Sequence, residues 1–84
     1  LYTDSLEICD VNIQQECYKH RDFRAMVKVR YNTTPKPAFV STSENIAKIF
    51  FDEPESSITP GQACAIYDEK NTFLIGGRWI CKKI

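Results

Sequence analysis

This sequence lacks most of the features on which catalytic and ligand-binding motifs are built. It has three glycines, one histidine and one tryptophan among its 84 residues. No segment approaches the roughly 20 apolar residues of a transmembrane helix. There is no glycine-rich phosphate loop followed by Lys-Ser or Lys-Thr, no Cys-x-x-Cys pair and no EF-hand spacing of acidic residues. We therefore expect no catalytic, cofactor-binding or metal-binding residue in the chain.

Length and composition indicate a single small globular domain that spans residues 1–84. Hydrophobic residues make up 43% and charged residues 26% of the sequence, which argues against intrinsic disorder. A chain of this length builds one modest core, so its stability margin is expected to be thin. The sequence starts without Met and without the basic and apolar regions of a secretory signal, so we expect an excised or processed piece that resides in the cytoplasm.

The four cysteines are an even number, which permits either disulfides or free thiols. They are Cys9, Cys17, Cys64 and Cys81. Because no export signal is present and the flanks of Cys64 and Cys81 are apolar, we favour free, mostly buried thiols over disulfides, metal ligands or nucleophiles. Cys17 has basic neighbours, but we interpret it as a surface-loop or partly buried thiol and the nearby His20 as a solvated loop residue.

Alternation of apolar and polar residues with a period of two dominates the chain. The clearest case is 23–31, where every odd position is apolar and every even position is basic except Met26. Further strand candidates are 6–13, 38–42, 46–51, 63–67 and 73–81. The one helical candidate, 12–21, is too polar for an amphipathic stripe and is predicted to be a loop or a single turn.

The breaks between these strands have recognisable turn chemistry. Two prolines in 32–37 should interrupt a strand ladder, and Thr59–Gln62 fits a type II turn with Gly61 at the position that needs a positive φ. A polar tight loop is expected at 68–71, and Gly76–Gly77 should mark a bulge or bend. The fold class is therefore all-β, with about six mostly antiparallel strands in a small closed barrel or a sandwich.

The formal net charge is zero, but the charges are grouped along the chain. Segment 19–36 carries six basic residues against one acidic residue, whereas 37–69 carries six acidic residues against one lysine. The alternation puts Arg24, Lys28 and Arg30 on one face of the 23–31 strand, and Lys36 follows beyond the turn. These four residues are candidate contacts for RNA phosphates, and an ordinary solvated strand face is the alternative.

Several segments in series resemble the C-terminal domain of the tRNA-specific 2-thiouridylases. In order, they are LYTDSL at 1–6, VKVRY at 27–31 ahead of a Pro-x-Pro, FDEP at 51–54, ITPGQA at 58–63, IYD at 66–68 and GGRWI at 76–80. The sequence departs from the family pattern at Arg78, where the family has a third glycine, and at Ala38, where it often has cysteine.

The resemblance implies an elongation-factor-like β-barrel that helps to hold tRNA. It also implies a parent enzyme that uses ATP with Mg²⁺ to replace the C2 oxygen of the anticodon wobble uridine with sulfur. The ATP-binding motif and the catalytic cysteines of the family belong to an N-terminal domain that is absent from this chain, and no cysteine here matches them. The implied partners are tRNA, the catalytic and central domains of the same protein and a sulfur-donor protein, with no membrane.

Two alternatives stay open at this point. The domain could be a purely structural cap on the rest of its own protein, which the zero net charge favours. It could also be a stand-alone β-barrel module that binds another protein, a reading against which the resemblance argues.

Overall fold

Strands account for most of the chain in a computed structural model, which describes residues 2–13, 15–29, 34–56 and 58–84. The strands are β1 (Tyr2–Ile8), β2 (Asn12–Ile13), β3 (Asp22–Lys28), β4 (Lys36–Ser43), β5 (Ile46–Ser56), β6 (Ala63–Tyr67) and β7 (Leu74–Lys83). The predicted loop or single turn at 12–21 is confirmed, because it contains only a 3-10 turn, Glu16–Tyr18. No helix in the described parts of the chain has the length and apolarity needed to cross a bilayer.

Six of the strands close on themselves into an antiparallel barrel. Their order is β1-β5-β4-β3-β6-β7, and β7 pairs again with β1. The two-residue β2 adds a short antiparallel pairing to β7. The predicted small barrel of about six antiparallel strands is confirmed, and the β1–β7 pairing excludes a sandwich of two separate sheets.

The interior of the barrel is filled by aliphatic side chains that alternate with outward-facing residues. Each of the six barrel strands contributes at least one of them. The largest buried side chains are Leu6, Ile8, Val27, Val40, Ile49, Ile66, Ile75 and Ile80. This continuous core follows directly from the period-two pattern, because successive side chains of a strand point to opposite faces of the sheet.

The predicted turns at 59–62 and 68–71 are both confirmed. Gly61 has a φ of 93°, and the Gln62 backbone N–H donates a 3.3 Å hydrogen bond to the Thr59 carbonyl. In the second loop the Asp68 carboxylate accepts hydrogen bonds from the backbone N–H groups of Thr72 and Phe73. Burial raises the pKa of Asp68, but these bonds and one from the Thr72 hydroxyl outweigh burial, so the pKa lies below its ordinary value.

The Gly76–Gly77 pair lies beside a bulge, as predicted, and the structure adds a second reason for it. The register between β6 and β7 shifts so that Ile75 is the extra residue, directly before the pair. A Cβ atom on Gly76 would collide with the backbone carbonyl of Asn12, and one on Gly77 with that of Cys64. Both glycines therefore let neighbouring strands approach closely, as glycine often does in a strand.

Several strand boundaries differ from the sequence prediction: β3 ends at Lys28, short of residue 31, and β5 extends to Ser56, beyond residue 51. The expected strand at 6–13 is divided into β1 and β2, because Asp10 adopts a φ of 54° and its carboxylate accepts a 2.9 Å hydrogen bond from the Asn45 amide. The expected break at 32–37 is wrong at its end, since Pro37 lies within β4. The β4–β5 register begins only at Ala38, so Pro37 has a strand partner on one side, which is an edge position that proline tolerates.

One cysteine pair also departs from the prediction. Cys9 and Cys81 form a disulfide with their Cα atoms 5.8 Å apart, so the expectation of free thiols is wrong for both. The two residues are 72 positions apart, and barrel closure alone brings them together. Cys64 is a buried free thiol, as expected, and burial raises its pKa to about 12. Cys17 is free and exposed, which confirms its interpretation as a surface-loop thiol.

Candidate nucleic-acid interface

The outer face of β3 carries two of the four predicted phosphate contacts. Ala25 and Val27 are buried in the core, whereas Arg24 is exposed and Met26 and Lys28 are half-buried on the opposite face. Arg24 and Lys28 are four residues apart, a separation of about 13 Å along an extended strand. The alternation at 23–28 therefore produces the outward basic face that the sequence predicts.

Arg24 is held by a carboxylate from a different strand. Its Nη1 and Nη2 groups donate hydrogen bonds of 2.8 and 2.5 Å to Oδ1 and Oδ2 of Asp52. Hydrogen bonding to Arg24 holds the pKa of Asp52 below its ordinary value, and the same bond raises the pKa of Arg24. Asp52 lies in β5, which extends to Ser56, beyond the strand predicted at 46–51. The charge of Arg24 is thus matched by a paired anion.

Lys36 does not join Arg24 and Lys28 on this face. Lys36 is the first residue of β4 and is the register partner of Val27, whose side chain points into the barrel. Register partners point to the same side of a sheet, so Lys36 does not share the outer face of Arg24. It is exposed because it lies at the end of its strand, at the rim of the barrel. Arg30 lies outside the described residues. The structure therefore brings two of the predicted contacts together and sets a third at a neighbouring rim.

An exposed aromatic pair beside Arg24 was missed by the sequence reasoning. Phe39 and Phe50 are 38% and 37% exposed, and their ring centroids lie 6.5 Å apart. Phe39 is in register with Arg24 on one side and with Phe50 on the other. The sequence did contain a signal for this pair, because each phenylalanine falls at an outward position of the period-two pattern, between two buried residues of its own strand. Aromatic side chains at outward positions of a strand commonly serve recognition, by stacking on bases or by packing on another protein.

The loop that contains Cys17 and His20 is held in place by Thr42, through backbone hydrogen bonds with Arg21 and through its buried hydroxyl. Thr42 Oγ1 donates a 2.7 Å hydrogen bond to the Tyr18 carbonyl and accepts a 3.0 Å bond from the Arg21 backbone N–H. His20 Nδ1 accepts a 3.4 Å hydrogen bond from the Glu44 backbone N–H. His20 is exposed, which agrees with its interpretation as a solvated loop residue.

Comparison with known proteins supplies a family. Residues 3–80 match the aminomethyltransferase beta-barrel domain. The sequence is 37% identical to a tRNA-specific 2-thiouridylase MnmA of Magnetococcus marinus over 95% of this chain and 22% of that protein. It is 38% identical to the protein of the same name from Pediococcus pentosaceus over 92% of this chain and 21% of that protein. It is 34% identical to the protein of that name from Roseobacter denitrificans over 98% of this chain and 22% of that protein.

These matches cover nearly all of this chain, which spans about a fifth of the length of the relatives. The fold that the resemblance implied is the one observed, and the relatives found are those that the sequence segments pointed to. The chain therefore belongs to the aminomethyltransferase beta-barrel domain family, and its resemblance to the C-terminal β-barrel domain of tRNA 2-thiouridylases is confirmed.

Proposed function

We propose that this chain serves as the C-terminal domain of an enzyme that 2-thiolates the wobble uridine of tRNA anticodons. The observation that carries the proposal is the match, over 92–98% of this chain, to proteins named tRNA-specific 2-thiouridylase. ATP with Mg²⁺ and a sulfur-donor protein then act in the rest of the enzyme, and the enzyme works in the cytoplasm. The domain described here takes no part in the covalent steps of the reaction.

The role proposed for the barrel is to help position tRNA through the outer face of β3. Lysine and arginine contact phosphates without reading sequence, so this face would add affinity and not base selectivity. The zero net charge supplies no long-range attraction, and the isolated chain should bind tRNA poorly. Contact therefore depends on other domains delivering the tRNA to this face.

The Arg24–Asp52 pair limits what Arg24 contributes. A phosphate that approaches Arg24 competes with a carboxylate that already accepts two hydrogen bonds. Exchange of one anion for another releases little net free energy, because the arginine is charged and paired in both states. Arg24 is therefore expected to supply little of the phosphate affinity, and Asp52→Asn should raise affinity by freeing Arg24.

The test is made in the full-length enzyme, with tRNA affinity measured across a salt series. The variant changes Arg24, Lys28 and Arg30 to Gln. A matched control changes Lys48, Lys82 and Lys83 to Gln; these flank β1, which lies across the barrel from β3 in the strand order. The β3 variant should lower the slope of log affinity against log salt by about one to two, because Arg24 exchanges one anion for another, and the control should not. Equal slopes in both variants would refute tRNA contact by β3.

A second candidate role is a structural cap on the other domains of the same protein. The exposed Phe39–Phe50 pair favours it, because paired rings bury well against an apolar surface. Changing both to Ser in the full-length enzyme would then increase proteolysis between the domains and leave the salt slope of tRNA binding unchanged. Family membership argues against the third possibility, a stand-alone protein-binding module.

A further inference from the structure

Three potential metal ligands meet where the first and last strands of the barrel pair. The ligand atoms of Glu7, Cys9 and Cys81 all lie within 4.8 Å of one another. Cys9 Sγ is 3.8 Å from Glu7 Oε2, and Cys81 Sγ is 3.3 Å from the Glu7 backbone carbonyl oxygen. Glu7 pairs with Lys82 and the next residue, Ile8, pairs with Ile80, so Cys81 is an extra, unpaired residue of β7 at a bulge. Such bulges redirect a side chain, and this one turns Cys81 toward Cys9.

The position of the Glu7 carboxylate indicates that this site can do more than form a disulfide. Its residue is only 9% exposed, and no ion pair of this carboxylate occurs among the described residues. The sulfur atoms of a disulfide carry no hydrogen, so neither can donate a hydrogen bond to Oε2. The carboxylate of this mostly buried residue therefore lies beside two sulfur atoms that cannot donate to it, a setting in which a bound cation would be stabilised.

We propose that, in the reduced protein, Cys9, Cys81 and Glu7 form a site for a thiophilic divalent cation of the Zn²⁺ class. Two thiolates and one carboxylate, completed by water, make a four-coordinate donor set that suits this ion. Zinc–sulfur bonds of about 2.3 Å in tetrahedral geometry place the two sulfur atoms about 3.8 Å apart. Side-chain rotation supplies that separation while the Cα atoms stay 5.8 Å apart.

The disulfide and the metal site are alternative states of the same two cysteines. A small-molecule thiol such as glutathione reduces the Cys9–Cys81 bond: two electrons pass to the pair, which becomes two thiols, and the reductant leaves as its own disulfide. Binding of the dication then displaces one proton from each thiol. In both states β1 and β7 are joined at the same place, by a covalent bond in one and by a shared metal ion in the other.

Charge around the site is compatible with a bound dication. Two thiolates and one carboxylate carry three negative charges, so the site with a bound dication has a net charge of −1. Lys48 on β5 and Lys82 on β7 are the register partners of Glu7 on its two sides, so a lysine lies in each neighbouring strand. The other two cysteines do not compete: Cys64 is buried with its pKa raised to about 12, and Cys17 lies in the loop at the 3-10 turn.

The test is a titration of the 84-residue chain, whose closed barrel has its own core, with Zn²⁺ in competition with a chromophoric chelator. Protein reduced by a phosphine should bind one ion per chain, and Co²⁺ in the same site should show sulfur-to-metal charge-transfer absorption. Cys9→Ser and Cys81→Ser should each weaken binding by more than about 100-fold, and Glu7→Gln by about 10- to 100-fold. Cys17→Ser is the matched control and should bind like the parent. Affinity should rise with pH, because the thiols must lose their protons.

Oxidation with diamide should abolish binding, and reduction should restore it. The unmodified chain in its two redox states thus tests the proposal even if a cysteine variant fails to fold, as checked by circular dichroism. Absence of stoichiometric binding by the reduced chain, or equal binding by a folded Cys9→Ser variant, would show that the pair is only a structural crosslink. The inference does not depend on tRNA binding, and its failure would leave the proposed function untouched.

Discussion

The wall formed by β3, β4 and β5 and the seam between β1 and β7 use the same antiparallel pairing, but they join segments at very different distances along the chain. In the wall, consecutive strands pair over six uninterrupted positions at each of two interfaces. In the seam, the two ends of the chain pair over three positions with a bulge between them. Closing a long loop costs more entropy than closing a hairpin, so the seam depends more on the packing beneath it.

The two regions also differ in the exposure of the carboxylates that they carry. The wall carries the exposed Arg24–Asp52 pair, whose charges are screened by solvent. The seam carries the Cys9–Cys81 pair beside the nearly buried carboxylate of Glu7. Changes at the seam should therefore alter the free energy of unfolding strongly, and changes to the charges of the wall should alter it weakly.

The largest expected effect is loss of core packing at the seam. Ile80 is 2% exposed, pairs with Ile8 and exchanges backbone hydrogen bonds of 2.8 Å with Gly61 and Gln62. Ile80→Ala should lower the free energy of unfolding by about 2–5 kcal/mol, because it removes buried methyl groups and leaves a cavity. Urea denaturation measures the change. Ile84→Ala, which alters a 56% exposed isoleucine four residues later, is the control and should have little effect. Similar losses in both variants would mean that the seam is not packed as described.

An intermediate effect is expected where the wall holds the 18–21 loop. Thr42→Val keeps the shape of the side chain but removes the hydroxyl that bonds Tyr18 and Arg21, so it should cost about 1–2 kcal/mol. Hydrogen exchange at the Arg21 amide should accelerate modestly in this variant, because the amide loses the hydroxyl but keeps its 3.1 Å bond to the Thr42 backbone carbonyl. Thr42→Ser retains the hydroxyl and should keep that amide protected. Fast exchange in the serine variant would show that the methyl group, and not the hydrogen bonds, fixes the loop.

The smallest effect concerns pH and the Arg24–Asp52 pair. Hydrogen bonding to Arg24 depresses the folded-state pKa of Asp52, so the pair stabilises the fold above the unfolded-state pKa of about 4 and loses that contribution as the pH falls through the folded-state pKa. In Arg24→Gln, an NMR titration should show the Asp52 pKa rising toward its ordinary value. The stabilities of the parent and the variant should differ slightly at pH 7 and converge in acid. An unchanged Asp52 pKa would mean that the pair does not persist in solution.

Much of the wall was readable from the sequence, and little of the seam was. Alternation at 23–31 predicted β3 and its outward Arg24 and Lys28, and the Pro-Gly dipeptide predicted the turn before β6. Those features depend on local steric preferences of a few adjacent residues. Asp52 as the partner of Arg24 was not predicted, because the pairing depends on the register of three strands.

Sequence alone determined the all-β class, the buried set of alternating aliphatic residues, the family resemblance and the absence of the phosphate-binding motifs sought. Each of these is a property of residue type and short-range spacing. Tertiary structure alone decided that Cys9 meets Cys81, that Glu7 is buried beside them and that Lys36 lies away from the face of Arg24. The physical reason is that barrel closure and bulges set which distant residues become neighbours, and neither leaves a periodic signal in the chain.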